Sequence, residues 1–261
     1  MKRIFFIIFI FQFLFAGYND KILKQLKSNT TKFSFVVMGD NRDGDDILKE
    51  IISQTNQNQS ISFLIDNGDL VRHGYKYEFK NYIQLIKTSN KPIISVIGNH
   101  EIPWYDGKNN YKKFIGKPYF SFSYGNSYFI ILDTSTEDIS KKQFKWLKKE
   151  LKKSKNYTHC FVFMHTPLYD PRKGYYTKGH SLQNLDTVKK LNSLFDKYKI
   201  SMLFCSHIHL YFRGNWHKTP YIITGGAGAP LKKNGFYHYI KVVVNKNKVS
   251  YEVIPIKRDY D

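Results

Sequence analysis

Side chains that bind metal ions recur in this 261-residue chain, each directly after a short apolar run. Carboxylate, amide-carbonyl and imidazole groups together suit iron, manganese, zinc or cobalt at a hydrolytic centre, and they suit calcium poorly. Two ions held close together need one carboxylate that bridges them and separate ligands that keep them apart. The sequence therefore predicts one metal centre, whose candidate ligands are Asp40, Asp69, Asn99, His165, His207 and His209.

The five apolar runs have the length and the β-branched or aromatic content of buried strands. In layered α/β folds, active sites lie in the crevice beyond the carboxyl ends of the strands. Because every run ends on aspartate, asparagine or histidine, we expect the whole domain to contribute to a single site. The runs with their endings cover residues 33–40, 61–69, 91–100, 160–165 and 200–209.

Helical patterns alternate with the strand runs, which is typical of parallel βαβ units. Two hairpins are expected, over 119–135 with its turn at Gly125–Asn126 and over 237–256, and proline and glycine predict an irregular loop over 101–118. The fold class that follows is α/β, a four-layer αββα sandwich of two mixed β-sheets flanked by helices. Apolar faces at helical spacing occur in residues 45–53, 77–88, 140–154 and 185–198.

Composition supports one folded domain with a strongly basic surface. A hydrophobic content of 42%, with 17% aromatic residues, provides a closed core and excludes a wholly disordered chain. The formal net charge of +20 favours anionic partners, such as phosphorylated small molecules, nucleic acid or an anionic membrane, although a solvated lysine surface explains it more simply. No arm of interleaved arginine and aromatic residues is present, so we expect no dedicated nucleic-acid-binding element.

The N-terminus has the pattern of a secretory signal. Basic residues precede an apolar stretch over 4–15 that is short for a membrane-spanning helix, and the small residues Ala16 and Gly17 follow it. We therefore expect an exported protein, periplasmic or secreted, or membrane-associated through the N-terminus if the segment is retained. The expected organisation is a signal at residues 1–17, a polar lead-in at 18–31 and one domain at 32–261.

Both cysteines, Cys160 and Cys205, lie inside strand runs. Neighbouring parallel strands offer poor geometry for a disulfide, so we expect two buried free thiols. Their position within the strands, rather than beyond the strand ends, also argues against a role as metal ligands.

Gly-Asp pairs, a Gly-Asn-His-Glu segment and two histidine motifs follow one another along the chain. They are Gly39–Asp40, Gly68–Asp69, Gly98–Asn99–His100–Glu101, His165-x-Pro167 and His207-x-His209. This series resembles the calcineurin-like metallophosphoesterase superfamily over about residues 33–257. The stretches that are similar to its purple-acid-phosphatase-like members are FMHTPLY (163–169), SHIHLYFR (206–213), the hairpin over 119–135 and QFKWLKKEL (143–151).

The resemblance implies a dinuclear metal centre at which a metal-bound hydroxide attacks the phosphorus of a phosphorylated small molecule. The cofactors implied are two divalent or trivalent metal ions, with iron, manganese or zinc favoured. His100 would lie beside the leaving group or the attacking hydroxide and act as general acid or hydrogen-bond donor. The ligands implied for the first ion are Asp40, Asp69 and His209, and those for the second are Asn99, His165 and His207, with Asp69 bridging.

Two positions depart from the family pattern at the first ion. The common Asp-x-His motif here has Arg42 at its last position, and the tyrosine that purple acid phosphatases place three residues after the bridging aspartate is replaced by Arg72. Neither arginine coordinates a metal ion. Either Arg42 pairs with substrate phosphate, as guanidinium does well, or the first ion is weakly held.

Three further residues are candidates near the site. His73 or Tyr75 could serve as a substitute ligand for the first ion. His180, in the loop after His165-x-Pro167, could face the substrate. With Arg42, His180 is therefore a candidate substrate-binding residue.

These observations predict a metal-dependent phosphoesterase. A phosphomonoesterase of the acid-phosphatase-like kind is favoured, because the closest local similarities lie there. A phosphodiesterase that acts on nucleotides or phospholipid headgroups is the alternative among enzymes. The pair Arg42 and Arg72 supports a third hypothesis, a weakly catalytic protein that binds phosphorylated ligands at a degenerate first metal site.

Overall fold

The computed structural model describes residues 17–103, 106–175 and 177–257. The predicted signal segment lies outside these residues except for Gly17. Within the described ranges, no helix is both long and apolar enough to span a membrane.

Helices and strands alternate along much of the described chain, and its last part consists of strands alone. The helices are α1 (Tyr18–Gln25), α2 (Asp45–Gln57), α3 (Lys76–Ile86), α4 (Gly107–Phe114), α5 (Lys141–Lys153) and α6 (Leu185–Tyr198). The strands are β1 (Lys32–Met38), β2 (Ile61–Asp66), β3 (Ile93–Ser95), β4 (Phe120–Tyr124), β5 (Ser127–Leu132), β6 (His159–Met164), β7 (Met202–Cys205), β8 (Tyr211–Trp216), β9 (Thr219–Thr224), β10 (His238–Asn245) and β11 (Lys248–Pro255).

The strands form two mixed sheets. Their orders are β11-β10-β1-β2-β3 in the first sheet and β4-β5-β6-β7-β9-β8 in the second. Pairing is parallel from β1 to β3 and from β5 through β6 and β7 to β9, and antiparallel hairpins complete the sheet edges. Helices α2, α3 and α4 contribute to the core on the outer face of the first sheet, and α5 and α6 to that of the second. The predicted α/β class, two mixed sheets flanked by helices, is confirmed.

A phenylalanine-rich core joins the inner faces of the two sheets. The ring of Phe35 in β1 stacks on Phe63 in β2 with centroids 5.4 Å apart, and it meets Phe129 in β5 edge-on at 5.4 Å. All three side chains are fully buried. Burying each of them stabilises the fold by about 2–3 kcal/mol. Because this core fixes the strands, it also fixes the strand ends where the predicted ligands lie.

The loop predicted over 101–118 is wrong in part, because helix α4 lies within it. Tyr111 of α4 is fully buried and its hydroxyl donates to Ser95 O at 2.7 Å, while the Asn110 side chain donates to Gly74 O at 2.9 Å. The glycine and proline residues that indicated a loop lie at the first residue of the helix or beyond its ends. Tertiary contacts, rather than local periodicity, therefore stabilise this helix.

The other predicted elements match with small differences. The hairpins β4–β5 and β10–β11 are present, and Gly125 takes a positive φ of 57° in the first turn. Cys160 and Cys205 are buried and free, as predicted. Strand β8, which pairs antiparallel with β9, was not anticipated, because its sequence YFRGNW is largely exposed and lacks an apolar run.

Helix α1, in the predicted lead-in, packs onto β3 at the edge of the first sheet. The buried side chain of Asn19 donates to Ser95 O at 2.8 Å and accepts from Ser95 N at 3.0 Å. Gly17 lies so close to the backbone of Ile115 and Gly116 that a Cβ atom would be 2.5 Å from Ile115 C. The beginning of the described chain is therefore fixed against the segment that follows α4.

Candidate metal centre

The six predicted ligands lie together, beyond the carboxyl ends of strands from both sheets. The first sheet contributes the residues after β1, β2 and β3, and the second contributes those after β6 and β7. Among the described residues, two groups of side chains could hold a metal ion, and within each group the ligand atoms lie within 4.8 Å of one another. The groups are Asp40, Asp69 and His209, and Asp69, His165 and His207.

The second group gains an amide oxygen from Asn99, and we call these four residues the second half of the centre. Nε2 of His165 lies 3.2 Å from Asp69 Oδ1 and 3.2 Å from Asn99 Oδ1. The same Asn99 oxygen lies 2.8 Å from His207 Nδ1. Donor atoms about 3 Å apart have the spacing expected when they bind one ion at about 2 Å each. The second half therefore presents four mutually close donors.

The first half of the centre consists of Asp40, Asp69 and His209. Asp40 is fully buried, and its Oδ1 lies 3.6 Å from His209 Nε2 without a hydrogen-bond partner. Nδ1 of His209 pairs with Pro230 O at 2.7 Å, as Nδ1 of His165 does with Asn67 O at 2.9 Å. A carbonyl that holds one ring nitrogen in this way leaves the other nitrogen free for a metal ion. These residues fit a metal site.

Three of the strand-end residues have positive φ values, which non-glycine residues seldom adopt. They are Asp40 at 59°, Asp69 at 58° and His207 at 70°. Such conformations cost about 1–3 kcal/mol each and persist where surrounding contacts enforce them. Here the amide of His207 donates to Asp40 Oδ2 at 2.8 Å, and that of Asp40 donates to Gly68 O at 2.9 Å. These backbone conformations direct the ligand side chains that follow β1, β2 and β7 toward the same site.

Burial and neighbouring charges shift the pKa values within this cluster. Burial raises the pKa of Asp40, and His165 and His209 offset this only in part. Burial alone would lower the pKa of His165, but the carboxylates of Asp69 and Asp40 raise it to about 10. Burial, followed by the charge on His165, lowers the pKa of His207 to about 3. The carboxylates of Asp69 and Asp40 therefore stabilise a proton on His165. A metal ion would displace that proton on binding.

The side chain of Glu101 holds the main chain at Asp69 in place, a role that the sequence motifs did not identify. Its buried carboxylate accepts from Asp69 N at 3.0 Å, from Val71 N at 3.0 Å and from Gly98 N at 2.6 Å. Burial, followed by the charge of Asp69, raises the pKa of Glu101 to about 8. The side chain joins the loops after β2 and β3. Its place beside His100 in the Gly-Asn-His-Glu segment was the only signal for it.

The two arginines that depart from the family pattern have different surroundings. The Arg42 side chain is 15% exposed, and its Nε lies 3.6 Å from Asp69 Oδ2. The Arg72 side chain is 61% exposed. Asp43 lies between them, 2.9 Å from Arg42 Nη1 through Oδ2 and 3.4 Å from Arg72 Nη1 through Oδ1. Of the two arginines, only Arg42 therefore lies against the carboxylate of Asp69, while Arg72 faces solvent.

His100 lies beside the same carboxylate oxygen. Its Nδ1 pairs with Arg72 O at 2.8 Å, which leaves Nε2 facing Asp69 Oδ2 at 3.9 Å. His180 is exposed, and its ring centroid lies 5.6 Å from that of His207. Both residues thus lie next to the candidate ligands.

The two possible substitute ligands are engaged elsewhere. Nδ1 of His73 lies 3.3 Å from Glu78 Oε1, and the exposed ring of Tyr75 stacks on Tyr77 with centroids 5.8 Å apart. His73 belongs to neither group of candidate ligands in the part of the chain that the structure describes.

Comparisons with known proteins relate the chain to phosphoesterases. The sequence profile of the family described as calcineurin-like phosphoesterase matches residues 33–211. Among curated proteins, the chain is similar to Fe(3+)-Zn(2+) purple acid phosphatase 12 of Arabidopsis thaliana, with 26% identity over 173 residues, and to purple acid phosphatase 13 of the same plant, with 30% identity over 169 residues. Among solved structures, purple acid phosphatase PPD1 from yellow lupin (Lupinus luteus) superposes with a TM-score of 0.67 at 18% identity.

The shared part is most of this chain but a minority of the curated relatives. The matches cover 58% and 56% of the chain and 36% and 30% of the two Arabidopsis proteins. The lupin structure is matched over 86% of this chain and 52% of its own. The similarity therefore extends to the fold and to the domain that carries the candidate metal centre.

Proposed function

The chain belongs to the calcineurin-like phosphoesterase family, and from that membership we propose that it hydrolyses phosphate monoesters at a centre for two metal ions. The observation that carries the proposal is that Asp69 belongs to both groups of candidate ligands. The relative named as an Fe(3+)-Zn(2+) enzyme supports a mixed pair of ions. Iron, manganese and zinc all suit a donor set of imidazole, carboxylate and amide oxygen.

The first half would hold one ion and the second half the other. The orphaned, buried Oδ1 of Asp40 supports this assignment, because such an atom is stabilised by a cation. Ions at such a centre neutralise charge on the phosphate and lower the pKa of water, so no protein nucleophile is needed.

His100 is proposed as the general acid. The carbonyl of Arg72 holds its Nδ1, so that Nε2 points toward Asp69 and the space above the centre. When Nε2 is protonated, it donates its proton to the oxygen of the leaving alcohol, which departs neutral. This role requires partial exposure to the substrate, and the side chain is 30% exposed.

Arg42 is proposed to bind the phosphate group, and His180 is proposed as a second substrate-binding residue. A phosphate monoester dianion carries one more negative charge than a diester, and a guanidinium beside the bridging aspartate stabilises that charge. Asp43 holds Arg42 in place through its Nη1. This positive charge is the feature that favours a monoester as substrate. His180 lies near His207, where it would contact the leaving group.

A second candidate, a weakly catalytic protein that binds phosphorylated ligands, is favoured by the position of Arg42 itself. Its charge lies 3.6 Å from Asp69 Oδ2, on a half of the centre with only three candidate ligands. If this charge keeps the first ion from binding, phosphate would bind beside one ion and turn over slowly.

We further propose export, directed by the N-terminal segment. The support is the sequence pattern of residues 1–17 alone. Sequencing the N-terminus of the protein recovered from culture medium, periplasm and membranes tests this. Recovery of the intact protein in the cytosol alone would refute it.

The function is tested with the purified full chain. Metal per chain is measured by elemental analysis, and aryl phosphate monoesters and diesters are assayed with added Mn²⁺, Zn²⁺ or iron. We expect two ions per chain and turnover of monoesters at least about tenfold faster than of diesters.

Each other result has a definite meaning. One ion with slow turnover and tight phosphate binding would select the second candidate. Faster diester hydrolysis would show that the substrate class is wrong. Substoichiometric metal under saturating conditions, with no turnover of either ester, would refute the phosphoesterase function.

A further inference from the structure

Helix α5 has an unusually one-sided charge. The helix is 13 residues long, and all seven of its lysines are exposed. Its only acidic residue, Glu150, is buried, and its Oε1 lies 2.7 Å from Lys153 Nζ. The exposed side of α5 therefore carries positive charge without a compensating exposed acid. The lysines are Lys141, Lys142, Lys145, Lys148, Lys149, Lys152 and Lys153.

Repulsion among these lysines opposes the helix. Pairs such as Lys145–Lys149 and Lys148–Lys152 are four positions apart, where like charges destabilise a helix. The helix forms because Leu147 and Leu151 are fully buried against the second sheet. An anionic surface placed against α5 would attract these lysines and so offset the repulsion among them.

A groove of about 750 Å³ connects α5 with the end of α4. Lys112 and Lys117 line one side of the groove and Lys142 the other. Tyr119 and Trp146 pack together within it, with ring centroids 5.0 Å apart. Some carboxylates also line the groove, among them the buried Asp133, which is paired with Lys108 at 2.7 Å.

We call the seven lysines of α5 together with Lys112, Lys113 and Lys117 the basic face. All ten side chains are exposed. Four of them, Lys112, Lys117, Lys142 and Lys153, line the same groove, which places the basic residues at the end of α4 beside those of α5.

The N-terminal segment joins the domain beside this face. Gly17 packs against Ile115 and Gly116, and Lys117 is the next residue along the chain. Asn19 N donates to Ile115 O at 2.8 Å, which fixes this junction. The residues before Gly17 include the apolar stretch over 4–15. The described chain therefore begins next to Lys117 of the basic face.

We propose that the basic face binds the surface of an anionic lipid membrane. One apolar segment gives only marginal attachment to a membrane, and a polybasic patch beside it supplies the second signal that stable binding needs. Lysines near an anionic surface each strengthen the attraction, within a distance set by salt screening. The proposal concerns where the domain is held and does not depend on which ester it hydrolyses.

The test uses the full chain and vesicles of phosphatidylcholine, with or without phosphatidylglycerol, in a flotation assay. We expect binding to the anionic vesicles to be tighter by about tenfold or more, and this preference to fall as salt is raised. Replacing Lys112, Lys117 and Lys142 by glutamate should abolish the preference while binding to neutral vesicles is unchanged. The glutamine versions of the same positions should give an intermediate loss.

The matched control carries Lys241→Glu, Lys246→Glu and Lys248→Glu, on and beside the β10–β11 hairpin at the edge of its sheet farthest from β3. It changes the net charge equally and should keep the preference for anionic vesicles. Hydrolysis of an aryl phosphate and the thermal unfolding midpoint show that each variant is folded. Equal binding to both vesicle types, equal losses in the control, or binding to polyphosphate or DNA but not to vesicles would each overturn the proposal.

Discussion

The two halves of the candidate metal centre share Asp69 but differ in the number and spacing of their ligands and in the charge beside them. The second half has four candidate ligands, linked by distances of 2.8–3.2 Å from His165 Nε2 to Asp69 and Asn99 and from Asn99 Oδ1 to His207 Nδ1. The first half has three candidate ligands, with His209 Nε2 3.6 Å from Asp40 Oδ1. The donors of the second half are more numerous and closer.

The charges beside the two halves also favour stronger metal binding at the second half. The guanidinium of Arg42 lies 3.6 Å from the Asp69 oxygen Oδ2, whereas Oδ1 of the same carboxylate faces His165. A fixed positive charge at that distance repels a metal cation in the first half and attracts an anion. Under the proposed function, we therefore expect the second half to hold its ion firmly and the first half to hold its ion more weakly, with Arg42 available for the phosphate.

The largest effect is expected from the residue that both halves use. Asp69→Asn keeps the shape of the side chain but removes the bridging charge. Activity should fall by about 10³-fold or more, and both ions should be lost, because neither half is complete without it. Elemental analysis and aryl phosphate turnover measure the two effects.

Asp45→Asn is the matched control, since Asp45 is an exposed residue of the first turn of α2. It should retain two ions and near-normal turnover. Loss of only one ion in Asp69→Asn would mean that the carboxylate does not bridge.

The next effect concerns His100, which lies at the Oδ2 side of the shared carboxylate. His100→Ala should lower kcat by about 100-fold, the scale of a lost general acid, and leave both ions bound. The loss should be smaller for aryl esters whose leaving group is a strong acid, because such a group needs no proton. The control variant is His73→Ala, because the side chain of His73 pairs with Glu78. This variant should change kcat by less than about twofold. A uniform loss across all leaving groups would contradict the role as an acid.

Arg42 gives a smaller effect that sharpens the comparison. Arg42→Ala should raise KM and the inhibition constant for inorganic phosphate by about tenfold, because a charge-assisted contact is lost. The first ion should at the same time bind more tightly, since the opposing charge is gone. Arg72→Ala, at a 61% exposed side chain, should change both by less. Weaker binding of the first ion in Arg42→Ala would show that the arginine supports this half rather than weakens it.

Much of the centre was accessible from the sequence, because strand ends can be located by hydrophobic pattern and ligand residues by type. The six ligand candidates follow in this way, whereas the role of His100 and the departure at Arg42 came from the resemblance to the calcineurin-like metallophosphoesterase superfamily. The structure shows these side chains close together, with Arg72 turned away. A distinction between the two arginines was not accessible, since both occupy loops directly after a strand-end aspartate.

What the sequence missed depends on contacts between distant segments. Helix α4 has its anchor in Tyr111 and Asn110, whose partners are backbone oxygens far along the chain. The carbonyls of Asn67 and Pro230, which hold the imidazoles, are backbone groups and leave no signature in residue type. Glu101 is present in the sequence motif, but two of its three backbone partners, the amides of Asp69 and Val71, are 32 and 30 residues away.

Equilibrium dialysis of the full chain against increasing free Mn²⁺ tests the difference between the halves most directly. Two ions should bind in separate steps, with affinities that differ by about tenfold or more. The weaker step should vanish in His209→Ala while the tighter step remains, and His165→Ala should remove the tighter step. Two ions bound in one step of equal affinity, or a tighter step that is lost in His209→Ala, would contradict the assignment of a strong second half and a weak first half.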